Sequence, residues 1–184
     1  LAYGQRAPSV TEAYGFYLYN SNDNFDYIGN PYLKNESSVE INFAVNFDLH
    51  EFKIGAETSF FYLNHYIIGE IDPSLSPMTI GANGVKIYTG LDHATIWNSS
   101  LKAEYLFLTN WHLSGLLGYS LGQDDEGETL PLISPLNYHA AIHYKKNVFD
   151  LELRLSGAAE QTEFGAVYGE TPAGSYTILN ANAS

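Results

Sequence analysis

The sequence contains no cysteine among its 184 residues, which excludes a disulfide scaffold, a thiolate metal site and a cysteine nucleophile together. It is also poor in positive charge, with 8 Lys plus Arg against 21 Asp plus Glu and a formal net charge of -13. That balance removes the basic footprint a phosphate backbone requires, so no nucleic-acid partner is expected. No apolar run reaches the roughly 18 residues of a helical membrane span, and no basic-then-apolar leader opens the chain, so neither a membrane helix nor a signal peptide is expected. Charged residues are only 16% of the total, whereas 45% are hydrophobic and 15% aromatic. A single domain can have this length, and the question is where so many rings go.

Strict alternation answers part of it. Val39, Ile41, Phe43, Val45, Phe47 and Leu49 alternate with Glu40, Asn42, Ala44, Asn46, Asp48 and His50, the period of a strand with one apolar and one polar face. The pattern returns from Leu136 to Lys145 and from Phe149 to Ser156, and more weakly from Phe52 to Tyr66, Lys86 to Phe107, Trp111 to Leu121 and Tyr176 to the end. About seven strands and essentially no helix are expected. The connections alternate in length: Asp48 to Glu51, Leu108 to Asn110 and Lys145 to Asn147 are tight turns, whereas Ile67 to Val85, Gly122 to Ser134 and Glu160 to Ser175 are long and rich in Gly, Pro, Asp and Glu. Rings bracket each tight turn, Phe47 with Phe52, Phe107 with Trp111 and Tyr144 with Phe149, as in an interfacial girdle. Long strands with short turns at one end and long polar loops at the other are the plan of an antiparallel transmembrane β-barrel. Because period two cannot distinguish apolar-in from apolar-out, a soluble carbohydrate-binding β-sandwich and a small non-transporting outer-membrane barrel stand beside that reading.

Ordered motifs add to it. Gln5-Arg6-Ala7-Pro8-Ser9-Val10-Thr11-Glu12-Ala13-Tyr14-Gly15 is followed by Gly29-Asn30-Pro31-Tyr32-Leu33-Lys34-Asn35-Glu36. Phe60-Phe61-Tyr62 then leads to Tyr66-Ile67-Ile68, Pro131-Leu132-Ile133-Ser134-Pro135 follows, and Glu170-Thr171-Pro172-Ala173-Gly174-Ser175-Tyr176-Thr177 precedes the last strand. In this order the chain resembles the TonB-dependent outer-membrane receptors, over nearly its whole length and in the middle-to-late part of their barrel. The resemblance implies about seven consecutive strands of a larger, 22-stranded barrel in a Gram-negative outer membrane, with the plug domain and closing strands lying outside residues 1–184. It implies uptake of a scarce solute, first a metal chelate such as an iron-siderophore, with copper, cobalamin or an oligosaccharide behind it. The partners so implied are the TonB energy-coupling complex, acting through a plug, and outer-membrane lipid. Haem-uptake members carry a histidine between the two N-terminal motifs, and none occurs from Ser9 to Gly29, which counts against haem.

Between those motifs lies a dense aromatic set. Tyr14, Tyr17, Tyr19, Phe25, Tyr27 and Tyr32 are the candidate ligand-binding residues, because rings give large contact area at low entropy cost; an outer aromatic girdle is the alternative use. Pro31 reads as punctuation that feeds a strand, and Arg6 as a residue facing a plug, a lumen wall or a solvated rim. Asn20, Asn22, Asn24 and Asp26 with Asp23 lack the glycine and closing glutamate of a calcium loop, and His139 and His143 are about 13 Å apart on one strand face, too far to share a metal. Neither a metal nor another cofactor is expected. No nucleophile elbow, phosphate loop or zinc-protease motif is present, so enzymatic activity is not expected.

Overall fold

The computed structural model describes residues 1–184. Its strands are β1 (Ala2–Arg6), β2 (Leu18–Asn20), β3 (Phe25–Ile28), β4 (Glu36–Leu49), β5 (Phe52–Asn64), β6 (Ile67–Ile71), β7 (Gly84–Gly90), β8 (His93–Leu108), β9 (Trp111–Asp124), β10 (Asn137–Lys146), β11 (Phe149–Ala158) and β12 (Tyr176–Ala183). Eight form one antiparallel wall in the order β1-β4-β5-β8-β9-β10-β11-β12, and four form a small sheet in the order β2-β3-β7-β6. Each of the seven strands expected from periodicity has a counterpart in the wall, although the first residues of the Lys86 to Phe107 stretch belong to β7 of the small sheet. The eighth, β1, escaped detection because Ala-Tyr-Gly-Gln-Arg carries no alternation. Two helical turns, α1 (Val10–Tyr14) and a 3-10 turn at Ala166–Tyr168, are the only helix, in line with the expectation of essentially none.

Register divides the wall into two chemistries. Val45, Ala56, Leu101, Leu117, Tyr138, Gly157 and Thr177 form one continuous cross-strand row. The next residue along each strand belongs to the opposite face, where Asp48, Lys53, Glu104, Ser114, Ala141, Arg154 and Asn180 line up in the same way. One face is thus a field of large apolar side chains, with Ile41, Phe43, Phe60, Leu101 and Leu117 all exposed. The other carries the ion pairs Lys102–Glu104 (2.7 Å) and His143–Asp150 (2.6 Å). Only 17 residues of the chain are buried, so the wall does not fold around a core of its own; such a surface belongs against hydrocarbon.

At the turn end the expected girdle is present as a relay of rings, Phe52, Tyr105, Phe107, Trp111 and Tyr144, with successive centroids 6.1, 6.0, 5.9 and 4.7 Å apart. The register shifts between Leu106 and Leu108, around Phe107. A second belt crosses the loop end, where Tyr62 stacks on His93 at 5.4 Å and Trp97 meets Tyr119 edge-on at 6.3 Å. Phe52 and Tyr62 mark the two belts on β5: ten residues at about 3.4 Å each is roughly 34 Å, and a tilt of about 40° leaves about 26 Å, close to the roughly 25 Å apolar band of an outer-membrane barrel.

The tight turns are where alternation placed them, with His50 and Asn147 in left-handed conformation at φ 52° and 55°. Two of the long connections are more than loops. The stretch read as one strand from Lys86 to Phe107 breaks at Leu91 and Asp92, whose N–H and carbonyl bond Tyr66 and His65; β6 and β7 stand above that break. The small sheet, the β9–β10 connection and residues 159–175 pack over the end of the wall, where Leu63, Ile68, Leu91, Ala94, Leu130 and Tyr168 form the one hydrophobic cluster.

Candidate functional site

The segment between the two N-terminal motifs is built around Arg6. Ser9 caps α1 by accepting the Glu12 N–H (3.2 Å) while Glu12 accepts the Ser9 N–H (2.7 Å), a reciprocal capping box. Arg6 donates to both Glu12 oxygens at 3.1 and 2.9 Å and to both Glu36 oxygens at 3.2 and 3.1 Å. Glu36 also accepts the Ile67 N–H at 3.0 Å, so one guanidinium ties β1, α1, β4 and β6 together. Burial works against ionisation of Glu12, and the Arg6 and Ser9 donors outweigh it, holding the carboxyl below its ordinary value. The second motif closes on the first: Asn30 N–H bonds the Glu12 carbonyl (2.8 Å) and Gly29 N–H the Gly15 carbonyl (2.7 Å). A Cβ on Gly29 would sit 2.5 Å from Gly15 N, so only glycine fits. Asn30 Oδ1 accepts the Tyr32 N–H at 3.0 Å, which makes Asn30-Pro31 a turn. Arg6 and Pro31 are therefore structural.

Beyond this clamp the small sheet holds two buried charged residues, Asp26 and Lys86. Lys86 is only 3% exposed; its Nζ lies 2.6 Å from Asp23 Oδ2 and 4.3 Å from the centre of the Phe25 ring, with the Tyr27 ring at 5.4 Å. The paired carboxylate and the ring faces replace the water this ammonium gave up. Burial, then the hydrogen bond to Asp23, pushes the Tyr27 phenol up from its ordinary value. Asp26 faces the other way and accepts the Met78 and Thr79 N–H groups at 2.7 and 2.9 Å. Thr79, through its side chain and N–H, and the Met78 N–H hold the Asp26 carboxyl low against its burial. The oxygens of Asn20, Asp23 and Asp26 thus serve separate partners and do not converge on a calcium site. His143 pairs with Asp150 on the polar wall face.

A cavity of about 460 Å³ opens between this sheet and residues 161–173, with Asn20, Asn22, Asp23, Tyr27, Lys86 and Glu170 among its lining. Glu170 accepts the Leu132 N–H (3.0 Å) and the Gly165 N–H (2.7 Å) and so staples two connections over the cavity. Gly169, at φ 76°, brings its backbone against the Phe25 ring. Burial, then Asp125, Glu126 and Asp124, raises the Glu70 carboxyl, so negative charge gathers around Glu70, the neighbour of Gly69 in the cavity lining.

Of the six candidate rings, Tyr27 lines the cavity and Phe25 is buried as the support of Lys86. Tyr19 is exposed and bonds Asn24, Tyr17 meets Phe16 edge-on at 5.0 Å, and Tyr14 and Tyr32 are exposed on the clamp. They share one end of the molecule without forming a single cage. Periodicity gave no sign of Lys86, Gln161, Glu170 or Tyr168. The only available signal was that Lys86 is the one cation between Lys53 and Lys102.

The solved structures similar to this chain include a copper transporter, OprC, at 16% identity and TM-score 0.79, covering 98% of this chain and 28% of that one. They also include a ferric enterobactin receptor of Pseudomonas aeruginosa in complex with enterobactin, at 13% identity, TM-score 0.72, and 98% and 29% coverage. A siderophore receptor, PirA, of the same organism has 14% identity, TM-score 0.67, and 98% and 31% coverage. At these identities the likeness is one of fold, and this chain spans less than a third of each. No curated protein matches its sequence. The sequence matches the family described as TonB dependent receptor-like, beta-barrel over residues 1–184, and the chain therefore belongs to the TonB-dependent receptors, with the fold of their outer-membrane β-barrel.

Proposed function

We propose that these residues form part of the wall and loop end of an outer-membrane transporter that takes up a scarce solute, a metal chelate such as an iron-siderophore. The carrying observation is the arrangement itself: a wall with one lipid-compatible and one polar face, topped by a folded sheet that encloses a 460 Å³ polar cavity. The acidic cluster of the loop end, Glu70 with Asp124, Asp125 and Glu126, disfavours small anions and suits cations or metal chelates. In this reading Tyr14, Tyr17, Tyr19, Tyr27 and Tyr32 offer rings to the cargo, and Phe25 acts through the cavity floor. The solved proteins named as copper and siderophore transporters make a metal cargo the first to test.

Each edge strand, β1 and β12, is paired on one side only, and an unpaired edge in hydrocarbon costs several kcal/mol per polar group. The reading therefore has further strands of the same protein closing the barrel, a plug domain filling it, and the TonB complex supplying force through that plug. The test is uptake of labelled ferric siderophores and copper by cells carrying the full-length protein, with and without the energy-coupling complex. The expected result is surface binding in both strains and accumulation only when coupling is intact. Accumulation that ignores the coupling complex contradicts the proposal.

A further inference from the structure

Negative charge is not spread evenly over the molecule. Residues 1–36, 65–92, 124–136 and 159–175, which build the loop end, hold 14 of the 21 acidic residues but only 3 of the 8 basic ones, Arg6, Lys34 and Lys86. Arg6 is engaged by Glu12 and Glu36, and the buried Lys86 ammonium lies 2.6 Å from Asp23 Oδ2. Lys34 is the remaining cation of this end, and it does not line the 460 Å³ cavity. Two acids reach that cavity through its lining: Asp124 accepts the Tyr168 hydroxyl, and Glu70 follows Gly69 in the chain. A concave surface with an excess of one sign focuses its field, so an anionic solute is repelled as it approaches.

Inside the cavity each charged group is already engaged. Asp23 pairs with Lys86, and Glu170 accepts the Leu132 and Gly165 N–H groups. The groups left over are neutral amides. Asn22 makes no side-chain hydrogen bond, Asn24 uses only Oδ1, accepting the Tyr19 hydroxyl, and Asn83 uses only Nδ2, donating to the Asp23 carbonyl at 3.3 Å. Free amide donors and acceptors of this kind pair with amide and hydroxamate groups, while Ile68, Pro131 and Leu132 offer apolar surface to the methylene chains that join such groups. The volume falls within the roughly 300 to 1,000 Å³ of small-ligand sites. Chelate chemistry then divides by charge: three hydroxamates, each singly charged, neutralise ferric iron, whereas three catecholates, each doubly charged, leave a trianion. With no free cation in its lining, the cavity has nothing to balance that trianion.

We propose that this cavity, within the transport reading on which the inference rests, selects ferric chelates of zero or positive net charge, the trihydroxamates, over trianionic tris-catecholates. The test is calorimetric titration of the full-length protein in detergent with ferrioxamine B, a monocation, ferrichrome, which is neutral, and ferric enterobactin, a trianion. Because juxtaposed like charges cost several kcal/mol, both trihydroxamates are expected to bind about tenfold or more tighter than the tris-catecholate. Raising the salt from about 0.01 to about 0.15 M shortens the Debye length from about 30 to about 8 Å; it is expected to weaken the monocation, leave the neutral complex unchanged and narrow the gap to the trianion. Asn22→Lys sets an unpaired cation in the cavity and is expected to cut the preference about fivefold, and Asn83→Lys repeats the change from the start of β7. Asn42→Lys, the same change of charge on the polar face of β4, leaves the preference as it was, and heat-modifiable migration on a gel confirms that each variant is folded. A tris-catecholate bound as tightly as the trihydroxamates, or a preference that both cavity lysines leave untouched, overturns this selectivity while the transport reading stands. Binding of none of the three chelates overturns both.

Discussion

Replacing Arg6 with alanine should open the loop end while leaving the wall intact. The guanidinium makes four N–H···O bonds to Glu12 and Glu36, whose side chains are 15% and 12% exposed. After its removal Glu12 keeps the Ser9 N–H and Glu36 keeps the Ile67 N–H, so each carboxylate retains one donor. Hydrogen bonds to charged groups contribute about 1.5 to 3 kcal/mol each. Because Arg6 is itself 44% exposed, screening favours the low end, about 1.5 kcal/mol per carboxylate and about 3 kcal/mol in all. At about 1.4 kcal/mol per tenfold, local opening rises roughly a hundredfold. Hydrogen exchange on the full-length protein in a bilayer reads this at Ala13, whose N–H bonds the Ser9 carbonyl within α1, and at Gly29 and Asn30, whose N–H groups bond across the clamp, with β9 and β10 as internal reference. Arg6→Lys should recover less than half, since an ammonium cannot engage two carboxylates bidentately. A change below threefold at those amides, or equal change in β9 and β10, refutes the clamp.

Glu12 also predicts a pH dependence. Its folded pKa lies below the ordinary 4.5, so its contribution is present above that value and lost as pH falls through the lowered folded one; protection at Ala13, corrected for intrinsic rates, should decline in that window and hold constant from pH 6 to 8. Glu70 has the opposite sign, raised by burial and by Asp125, Glu126 and Asp124. Its ionised form is disfavoured in the fold, and Glu70→Gln should slow exchange in β6 at pH 7. Lys86→Met leaves Asp23, 19% exposed, without its cation and should cost about 3 kcal/mol locally; Asp23→Asn in the same chain should restore part of it, read as exchange in β3 and β7. Gly29→Ala places a Cβ 2.6 Å from Tyr14 N and should cost more than about 2 kcal/mol, seen as protease nicking between Tyr14 and Leu33 that the parent resists.

The wall was legible because its cause is repeated at every step. Each strand must present rings to hydrocarbon and polar groups inward, so period two survives in the sequence from Val39 to Leu49 and from Leu136 to Lys145. The girdle was legible for the same reason, since Phe52, Trp111 and Tyr144 sit beside turns that tightness alone identifies. The small sheet was not, because β2, β3, β6 and β7 are short and β3 pairs in parallel with β7 across 58 intervening residues as Phe25 with Gly84; no local pattern encodes such a contact. The clamp was half legible. Its residues stood out as motifs, but that Arg6 reaches Glu12 and Glu36 depends on β1 lying beside β4, and β1 has no alternation to announce it. Lys86 is a long-range case as well: a lone lysine reads as surface until Asp23 and Phe25 are placed around it.

The central claim is which face of the wall meets lipid. It is tested most directly by single cysteines along β5, placed in full-length protein freed of any other cysteine and set in a bilayer, with labelling by a water-soluble maleimide. Residues 1–184 contain no cysteine to interfere. Positions 55, 57 and 59, on the face of Asn46, Ala44 and Asn42, should label readily, and positions 54, 56 and 58 should resist, giving alternation across the strand. Labelling at 54, 56 and 58 with protection at 55, 57 and 59, or uniform labelling of all six, contradicts the assignment of the apolar face to the membrane.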